Sequence, residues 1–506
     1  MKNLGDLLEA ASPLACHGDL AAEIDDIAFD SRLVRPGNLF VALPGRRSDG
    51  NVYIQDALRR GAAAVVSQSP EPPPGLDVPY VVVADANLAL SRLSAALHDF
   101  PARRLGSIGI TGTNGKTTTA HMTSAILAAA GIPVGRLSTV DLAVGSSVRR
   151  NETNHTTPQA PQVQAALAEM VAAGARYAVV EASSHALVRG RVADCEFDVA
   201  VFTNLSAEHL DFHGSLAQYR EDKARLFRML GASADKGLPK FGVVNADDRE
   251  ADYFREASPA PVLTYALDAP ADVVGRAWEV LPSGTRFVIA APSGEVVVHT
   301  RLVGRFNLYN WLAASTVAVG LGIGLGAVAR AAEGLTGVPG RMQVVDEGQP
   351  FLVVVDFAHT PHALEGALTT LRQQVPGRVL AVFGHAGGRD RNNRPALART
   401  AARFSDFFVI TSDDPYDEDP QFIVDEVESG LADTDLELGR HYLKLVDRRE
   451  GIAAALARAR PGDAVLIAGR GHELYMPVGE QLVPFDDVAV ARGLLAGRPR
   501  MDRAAA

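Results

Sequence analysis

Gly109-Ile110-Thr111-Gly112-Thr113-Asn114-Gly115-Lys116-Thr117-Thr118-Thr119 is the stretch whose reading decides the fold. Leu105 to Ile110 predict a short buried strand. The residues from Gly115 onward predict a helix with Met122, Ile126 and Leu127 on its apolar face. A glycine-rich turn between strand and helix lets backbone N–H groups close around phosphate oxygens. The helix N-terminus adds positive potential, Lys116 a mobile cation, and Thr117 a hydroxyl suited to Mg²⁺. The spacing departs from the common G-x-x-x-x-G-K-[ST] loop, whose first glycine would fall at Ile110. The stretch predicts phosphate, ATP above all, without saying what the ATP is for.

Outward from this loop, strands and helices alternate, which predicts a mostly parallel, doubly wound sheet. Its strands are expected at Leu105–Ile110, Tyr177–Glu181, Val199–Asn204, Phe241–Asn245 and Val262–Tyr265. Three of them end in polar residues, Glu181-Ala182-Ser183-Ser184-His185, Thr203-Asn204 and Asn245-Ala246-Asp247-Asp248, where open parallel sheets bind ligands. Residues 272–303 read as an antiparallel meander, with turns at Pro282-Ser283-Gly284 and Pro292-Ser293-Gly294.

Upstream, Asn38–Leu43, Ala63–Ser67 and Tyr80–Val83 predict strands of a separate α/β unit, with a polar loop at Arg46-Arg47-Ser48-Asp49-Gly50. Downstream, Gly337-Val338-Pro339-Gly340-Arg341 breaks the pattern and a second α/β series begins. Its strands are expected at Phe351–Asp356, Val379–Phe383, Phe407–Thr411, Tyr442–Leu445 and Ala464–Ala468. The Ala/Arg-rich C-terminus is expected to fray.

Bulk properties narrow the function. A chain of 506 residues holds two to four domains. Its 47% hydrophobic and 22% charged residues describe a globular protein. A net charge of −11 argues against nucleic acid as the main partner. Cys16 and Cys195, far apart, exclude a disulfide scaffold or cysteine zinc site and fit a reducing, cytoplasmic setting. No signal peptide is evident. Residues 311–329 carry no charge and reach spanning length, but Gly320, Gly322, Gly324 and Gly326 favour two buried helices over a membrane span.

The polar residues at the strand ends have unequal claims. An acid such as Glu181, at a strand end beside a phosphate loop, commonly holds Mg²⁺. His209, in Ala207-Glu208-His209-Leu210-Asp211-Phe212-His213-Gly214, fits a metal or phosphate contact and a structural hydrogen bond equally well. Lys223, Asn307 with Asn310, and Asp356 with His359 have little claim on residue type alone.

Taken together, G-T-N-G-K-T-T, Thr156-Thr157-Pro158, E-A-S-S-H-A-L, T-N-L-S-A-E-H-L-D-F-H-G, G-R-F-N-L-Y-N, P-G-R-M, D-F-A-H-T-P and A-G-R-G-H-E resemble the Mur ligases, from about Asp30 to Glu473. The nearest branch adds the third residue of the peptidoglycan stem peptide. The resemblance implies an α/β protein of three domains. These are an N-terminal α/β UDP-binding domain (1–100), a central doubly wound P-loop ATPase domain with an antiparallel side sheet (101–337), and a C-terminal Rossmann-like α/β domain that binds the amino acid (338–506).

The resemblance also implies roles. ATP would be bound by Gly112, Thr113, Asn114, Gly115, Lys116, Thr117 and Thr118, with Asn307, Arg341, Asp356 and His359. Two Mg²⁺ ions would be held by Thr117, Glu181, His209 and a carbamylated Lys223; Lys116, Glu181, His209 and Lys223 would be catalytic. Ser31, Thr156, Thr157, Ser183 and Arg191 would take a UDP-muramoyl-dipeptide. Arg389, Asp413, Asp414, Pro415, Tyr416, Gly469 and Glu473 would grip the incoming diamino acid. A cytoplasmic monomer working on small molecules is the expectation.

Two departures bear on specificity. Family members using meso-diaminopimelate carry D-N-P-R where this chain has Asp413-Asp414-Pro415-Tyr416, so the arginine that pairs with a distal carboxylate is missing. The extra acid suits a substrate ending in an ammonium group, which favours L-lysine or L-ornithine over meso-diaminopimelate. Arg470 stands where lysine is usual, and His385-Ala386 where Cys-Gly is usual. A paralogue acting on another carboxylate, or a regulatory ATP-binding module, stays open.

Overall fold

The computed structural model describes residues 1–45, 49–153, 155–281 and 284–497. The expected turn residues Pro282 and Ser283, the loop residues Arg46 to Ser48 and the end of the C-terminal tail lie outside the described residues.

Three sheets organise the chain. The first has the order Ala15–His17, Tyr80–Val82, Ala64–Ser67, Asn38–Val41, Asp26–Ala28, parallel except at the Ala15–His17 edge. Its three inner strands are buried along their whole length because both faces are covered, on one side by the helices Leu4–Ala11 and Ala86–Leu97. Asp85 starts the second of these helices by accepting from the N–H groups of Asn87 and Leu88.

Among the described residues the central sheet has eleven strands. Gly106–Thr111 lies at its middle, with Tyr177–Glu181 on one side and Val199–Phe202, Phe241–Asn245 and Val262–Ala266 following on the other, all parallel. The chain leaves Gly106–Thr111 toward one edge and returns to its other side, so the loop at Gly112 sits at the topological switch point. The meander of Val273–Leu281, Gly284–Ala291 and Gly294–Thr300 is hydrogen bonded onto the end of this same sheet. Three further strands, Val134–Leu137, Asp141–Val144 and Ser147–Arg150, extend the opposite edge. Sequence reading missed them, because Arg136 and Asp141 interrupt the apolar pattern. The two side chains pair at 2.7 Å, which makes them tolerable at an inner edge.

The uncharged stretch 311–329 falls in two helices, Arg305–Gly320 and Leu325–Gly334, broken at Gly322 with φ of +72°. Both pack on the loop helix Lys116–Ala129 around buried Trp311. Among the described residues no helix is long and apolar enough to cross a membrane.

The third sheet has the order Gln343–Val344, Leu352–Asp356, Ala464–Ala468, Val379–Phe383, Phe407–Thr411, Tyr442–Leu445, parallel apart from the first. Polar strand ends of the second and third sheets line one cleft of about 1960 Å³. A single small ligand needs about 300–1,000 Å³, so several substrates fit at once.

Candidate active site

Two glycines shape the loop. Gly112 has φ of +143° and Gly115 of +86°; a Cβ on the first would strike Thr203 Oγ1, and on the second Asn310 Oδ1. The loop is tied to the next strand end. Thr113 N–H donates to Asn204 O (2.8 Å) and Asn114 N–H to Asn204 Oδ1 (3.0 Å), while Thr203 Oγ1 donates to Asn114 O (2.6 Å). The amides left to face a phosphate are those of the first turn of Lys116–Ala129, which have no intrahelical partner.

Lys116 curls over the loop, its Nζ donating to Gly112 O (3.0 Å) and Thr113 O (2.8 Å). Lys223, on the helix Leu216–Ala232, reaches the same Gly112 oxygen at 2.7 Å. Burial, and then the neighbouring Lys116 charge, push the Lys223 amine well below its ordinary range. Burial lowers Lys116 as well, with Glu208 and Glu181 opposing it.

Glu181 ends its strand fully buried, behind the cleft wall. Its carboxylate accepts from Thr139 N–H (2.9 Å) and from Thr139 Oγ1 (2.8 Å). Thr139 Oγ1 lies 3.5 Å from Thr117 Oγ1, which also accepts from Arg341 Nη2 at 3.1 Å. Among the described residues no ion pair reaches Glu181. Thr117, Thr139 and Glu181 thus bring hard oxygen donors to one point, the chemistry that Mg²⁺ favours, so these residues fit such an ion.

His209 has φ of +56° at the start of the turn Leu210–His213, a conformation that needs support from its surroundings. Burial holds its imidazole down to about 4. Glu208 beside it bridges to His359 of the third sheet's domain (3.3 Å). Burial alone would raise the Glu208 carboxyl, but His359, His209 and Lys116 outweigh it and hold it well below the carboxylate range. Conversely, burial lowers His359 and Glu208 more than reverses this. Asn310 Nδ2 donates to Asn307 Oδ1 (3.1 Å) beside the loop helix. Asp356 accepts from the N–H groups of Met342 (2.6 Å) and Ala358 (2.9 Å), and burial raises its carboxyl.

A second wall gathers Thr157, Ser183 and Arg191. Ser183 N–H donates to Thr157 Oγ1 (3.1 Å), and Arg191 Nη1 to Thr157 O (2.9 Å). Arg191 is 9% exposed, its Nε has no partner, and among the described residues no carboxylate pairs with it. Burial pushes its guanidinium down to about 10. A buried, unpaired guanidinium at a cleft is built to meet an anion.

The third wall is acidic. Asp413, Asp414 and Glu473 bring carboxylate oxygens within 4.8 Å of one another. Arg470, wholly buried, pairs with Asp414, lies 3.7 Å from Asp413 and 3.8 Å from Glu473, and donates to Tyr475 O (2.8 Å). Burial pushes the Glu473 carboxyl up to about 7; Arg470 opposes this and Asp413 adds to it. Tyr416 takes φ of +50°, its N–H donating to Pro477 O (3.0 Å) and its O accepting from Gly479 N–H (2.7 Å). The hairpin Tyr475–Val478 and Gln481–Pro484 therefore fixes the 413–416 loop.

Three family models match the chain: Mur ligase family, catalytic domain, over residues 23–98; Mur ligase middle domain over 110–318; and Mur ligase, glutamate ligase domain, over 340–471. The chain belongs to the Mur ligase family. It is an ATP-dependent ligase. A UDP-N-acetylmuramoyl-L-alanyl-D-glutamate–2,6-diaminopimelate ligase from Geobacillus thermodenitrificans is 42% identical over 94% of this chain and 96% of its own. A UDP-N-acetylmuramyl-tripeptide synthetase from a Roseiflexus species is 45% identical over 94% and 95%. A solved UDP-N-acetylmuramoyl-L-alanyl-D-glutamate–2,6-diaminopimelate ligase is 32% identical with a TM-score of 0.63, covering 94% of this chain and 96% of its own.

Most of the ligase's expected site residues line the one cleft, including Thr156, Arg389 and Gly469. Ser31 does not: it opens the turn Ser31–Leu33 of the first domain, away from the cleft lining. Glu181, Thr157, Gly112 and Pro415 stand behind the lining. Sequence reasoning placed Asn204 at a strand end beside the phosphate loop, where the structure has it, but did not single out Thr139 or Glu208. Glu208 lies in a quoted motif, so the signal was present; Thr139 follows a strand that sequence reading missed.

Proposed function

We propose that this ligase joins a diamino acid to the γ-carboxylate of D-glutamate in UDP-N-acetylmuramoyl-L-alanyl-D-glutamate, in peptidoglycan precursor synthesis. What supports this most is that one cleft holds the phosphate loop, an unpaired buried Arg191 and an acidic third wall. Residues 1–100, 101–337 and 338–506 take the UDP group, ATP and the amino acid respectively, in a cytoplasmic monomer.

Gly112 to Thr118, Asn307, Arg341, Asp356 and His359 bind ATP. The γ-carboxylate attacks the γ-phosphorus, the bond to the β-phosphate oxygen breaks, and ADP leaves. The amine then adds to the acyl phosphate, loses a proton and expels inorganic phosphate. Lys116, whose Nζ is held over the loop by Gly112 O and Thr113 O, places a positive charge beside the transferred phosphoryl group. Mg²⁺, when bound by Thr117, Glu181, His209 and carbamylated Lys223, supplies charge neutralisation between two anions. The lowered Lys223 amine supports the carbamate, because only a neutral amine adds to CO₂, forming the N–C bond and releasing one proton. Thr156, Thr157, Ser183 and Arg191, with Ser31, hold the UDP-muramoyl-dipeptide. The Glu208–His359 contact joins the two domains over the site and helps exclude water from the acyl phosphate.

Arg389, Asp413 to Tyr416, Gly469 and Glu473 receive the amino acid. The uncharged Tyr416 favours L-lysine or L-ornithine. Asp414 does not add to that preference as the sequence suggested, because Arg470 already takes its charge. The relatives' names point instead to 2,6-diaminopimelate. Phosphate release with the UDP-muramoyl-dipeptide and each of the three amino acids decides the matter. Turnover with meso-diaminopimelate alone overturns the Tyr416 reading. Turnover with none favours a paralogue, and ATP hydrolysis without an amino acid favours a regulatory module.

A further inference from the structure

We propose that His213 is the positioning residue that sets the spacing of Glu181, His209 and Lys223; this rests on the metal roles proposed above. His213 ends the turn Leu210–His213, four residues after His209, and its side chain is fully buried. Its Nδ1 lies 2.7 Å from Asp222 Oδ2 and its Nε2 lies 3.0 Å from Ser184 Oγ. Asp222 immediately precedes Lys223, and Ser184 follows Glu181 by three positions. One imidazole thus joins the strand end, the turn and the helix that carry the three side chains.

Hydrogen-bond chemistry gives this strut a direction. An ionised carboxylate only accepts, so Nδ1 carries a proton toward Asp222, and in the neutral imidazole Nε2 is then left to accept from the Ser184 hydroxyl. Asp222 is itself held by Gln218 Nε2 (3.1 Å) and by Arg225 (3.1 Å) on its own helix. The ring of His213 packs on Tyr219 at 4.8 Å, and the Tyr219 ring carries Lys223 Nζ at 4.2 Å. On its other side His213 meets the ring of His185 at 5.4 Å. His213 does not line the cleft, whereas Ser184 does. Although the order Ser–His–Asp is that of a nucleophile triad, Ser184 is only 2% exposed, which suits a strut. Partners behind metal ligands commonly change metal affinity or activity about 10–100-fold when removed.

The test uses the full chain with a non-hydrolysable ATP analogue, Mn²⁺ binding being followed by electron paramagnetic resonance alongside the Mg²⁺ dependence of phosphate release. His213→Ala is expected to weaken Mn²⁺ binding by about tenfold or more and Ser184→Ala by less, with the KM for the diamino acid unchanged. His213→Asn, which keeps a donor toward Asp222, should recover part of the loss. Should His213→Ala fail to fold, Ser184→Ala and His213→Asn carry the same test. Glu181→Gln and Lys223→Ala separate the two readings. If neither changes Mn²⁺ affinity, the metal roles fall and the proposal with them. If both weaken it while the His213 and Ser184 variants do not, only the positioning role is overturned.

Discussion

Replacing Gly115 by alanine probes the loop where it presses on Asn310. With φ of +86°, an alanine there carries a left-handed backbone strain of about 1–2 kcal/mol. Its Cβ would also meet Asn310 Oδ1. Turning that side chain away gives up its bonds with Asn307 (3.1 Å) and Thr119 (3.3 Å), about 1 kcal/mol each. The stiffer unfolded chain returns about 0.4–1 kcal/mol. The net loss is therefore about 2–3.5 kcal/mol. Trp278 and Trp311, the chain's two tryptophans, both belong to the central sheet and its packed helices, so urea unfolding followed by fluorescence reads this domain. Asn310→Ala removes the obstacle and its bonds together. The double variant should then be less destabilised than the sum of the singles by about 1–2 kcal/mol. Additivity within about 0.5 kcal/mol would refute the collision, and a loss below 1 kcal/mol for Gly115→Ala would refute the strain.

Other outcomes follow from the three walls. Arg191→Ala should raise the KM for the UDP-muramoyl-dipeptide about 10–100-fold, since a bond to a charged group contributes about 1.5–3 kcal/mol; an unchanged KM counts against the anion site. Arg341→Ala, which loses the 3.1 Å bond to Thr117, should raise the KM for ATP roughly tenfold in steady-state kinetics. Glu473 gives a pH signature. Its carboxyl, ordinarily near 4.5, is raised to about 7, so between these values the folded chain holds a proton that the unfolded chain has released. Stability contributed by that proton is lost as pH rises through this window. Glu473→Gln should flatten the slope of the unfolding midpoint there, and an unaltered slope would assign it to other groups.

Much of the fold was legible because its parallel strands are buried on both faces. Val379–Phe383, Phe407–Thr411 and Ala464–Ala468 are unbroken apolar runs that need no partner to be recognised. Val134–Leu137 was not legible, since its charged Arg136 is neutralised by Asp141 across a hairpin, a relation that periodicity does not carry. The candidate site divides in the same way. Gly112 and Gly115 announce a phosphate loop through their backbone requirements. Which amides remain for the phosphate depends on Asn204, ninety residues from Asn114 along the chain. Asp414 looked like a free acid until the fold brought Arg470 to it across 56 residues.

That last pair constrains how the proposed amino-acid pocket can be altered by mutation. Asp414 is 7% exposed and Arg470 is 0% exposed. Replacing Asp414 alone removes the nearest partner of a buried guanidinium whose Nε already has none among the described residues, and leaves it the longer contacts to Asp413 (3.7 Å) and Glu473 (3.8 Å). Replacing Arg470 alone leaves three carboxylates facing one another. Neither residue can be changed first without loss, so the pair forms a fitness valley around the pocket. A variant with a new preference at Tyr416 is reached in one step, but one that also restores an asparagine at position 414 must change position 470 with it.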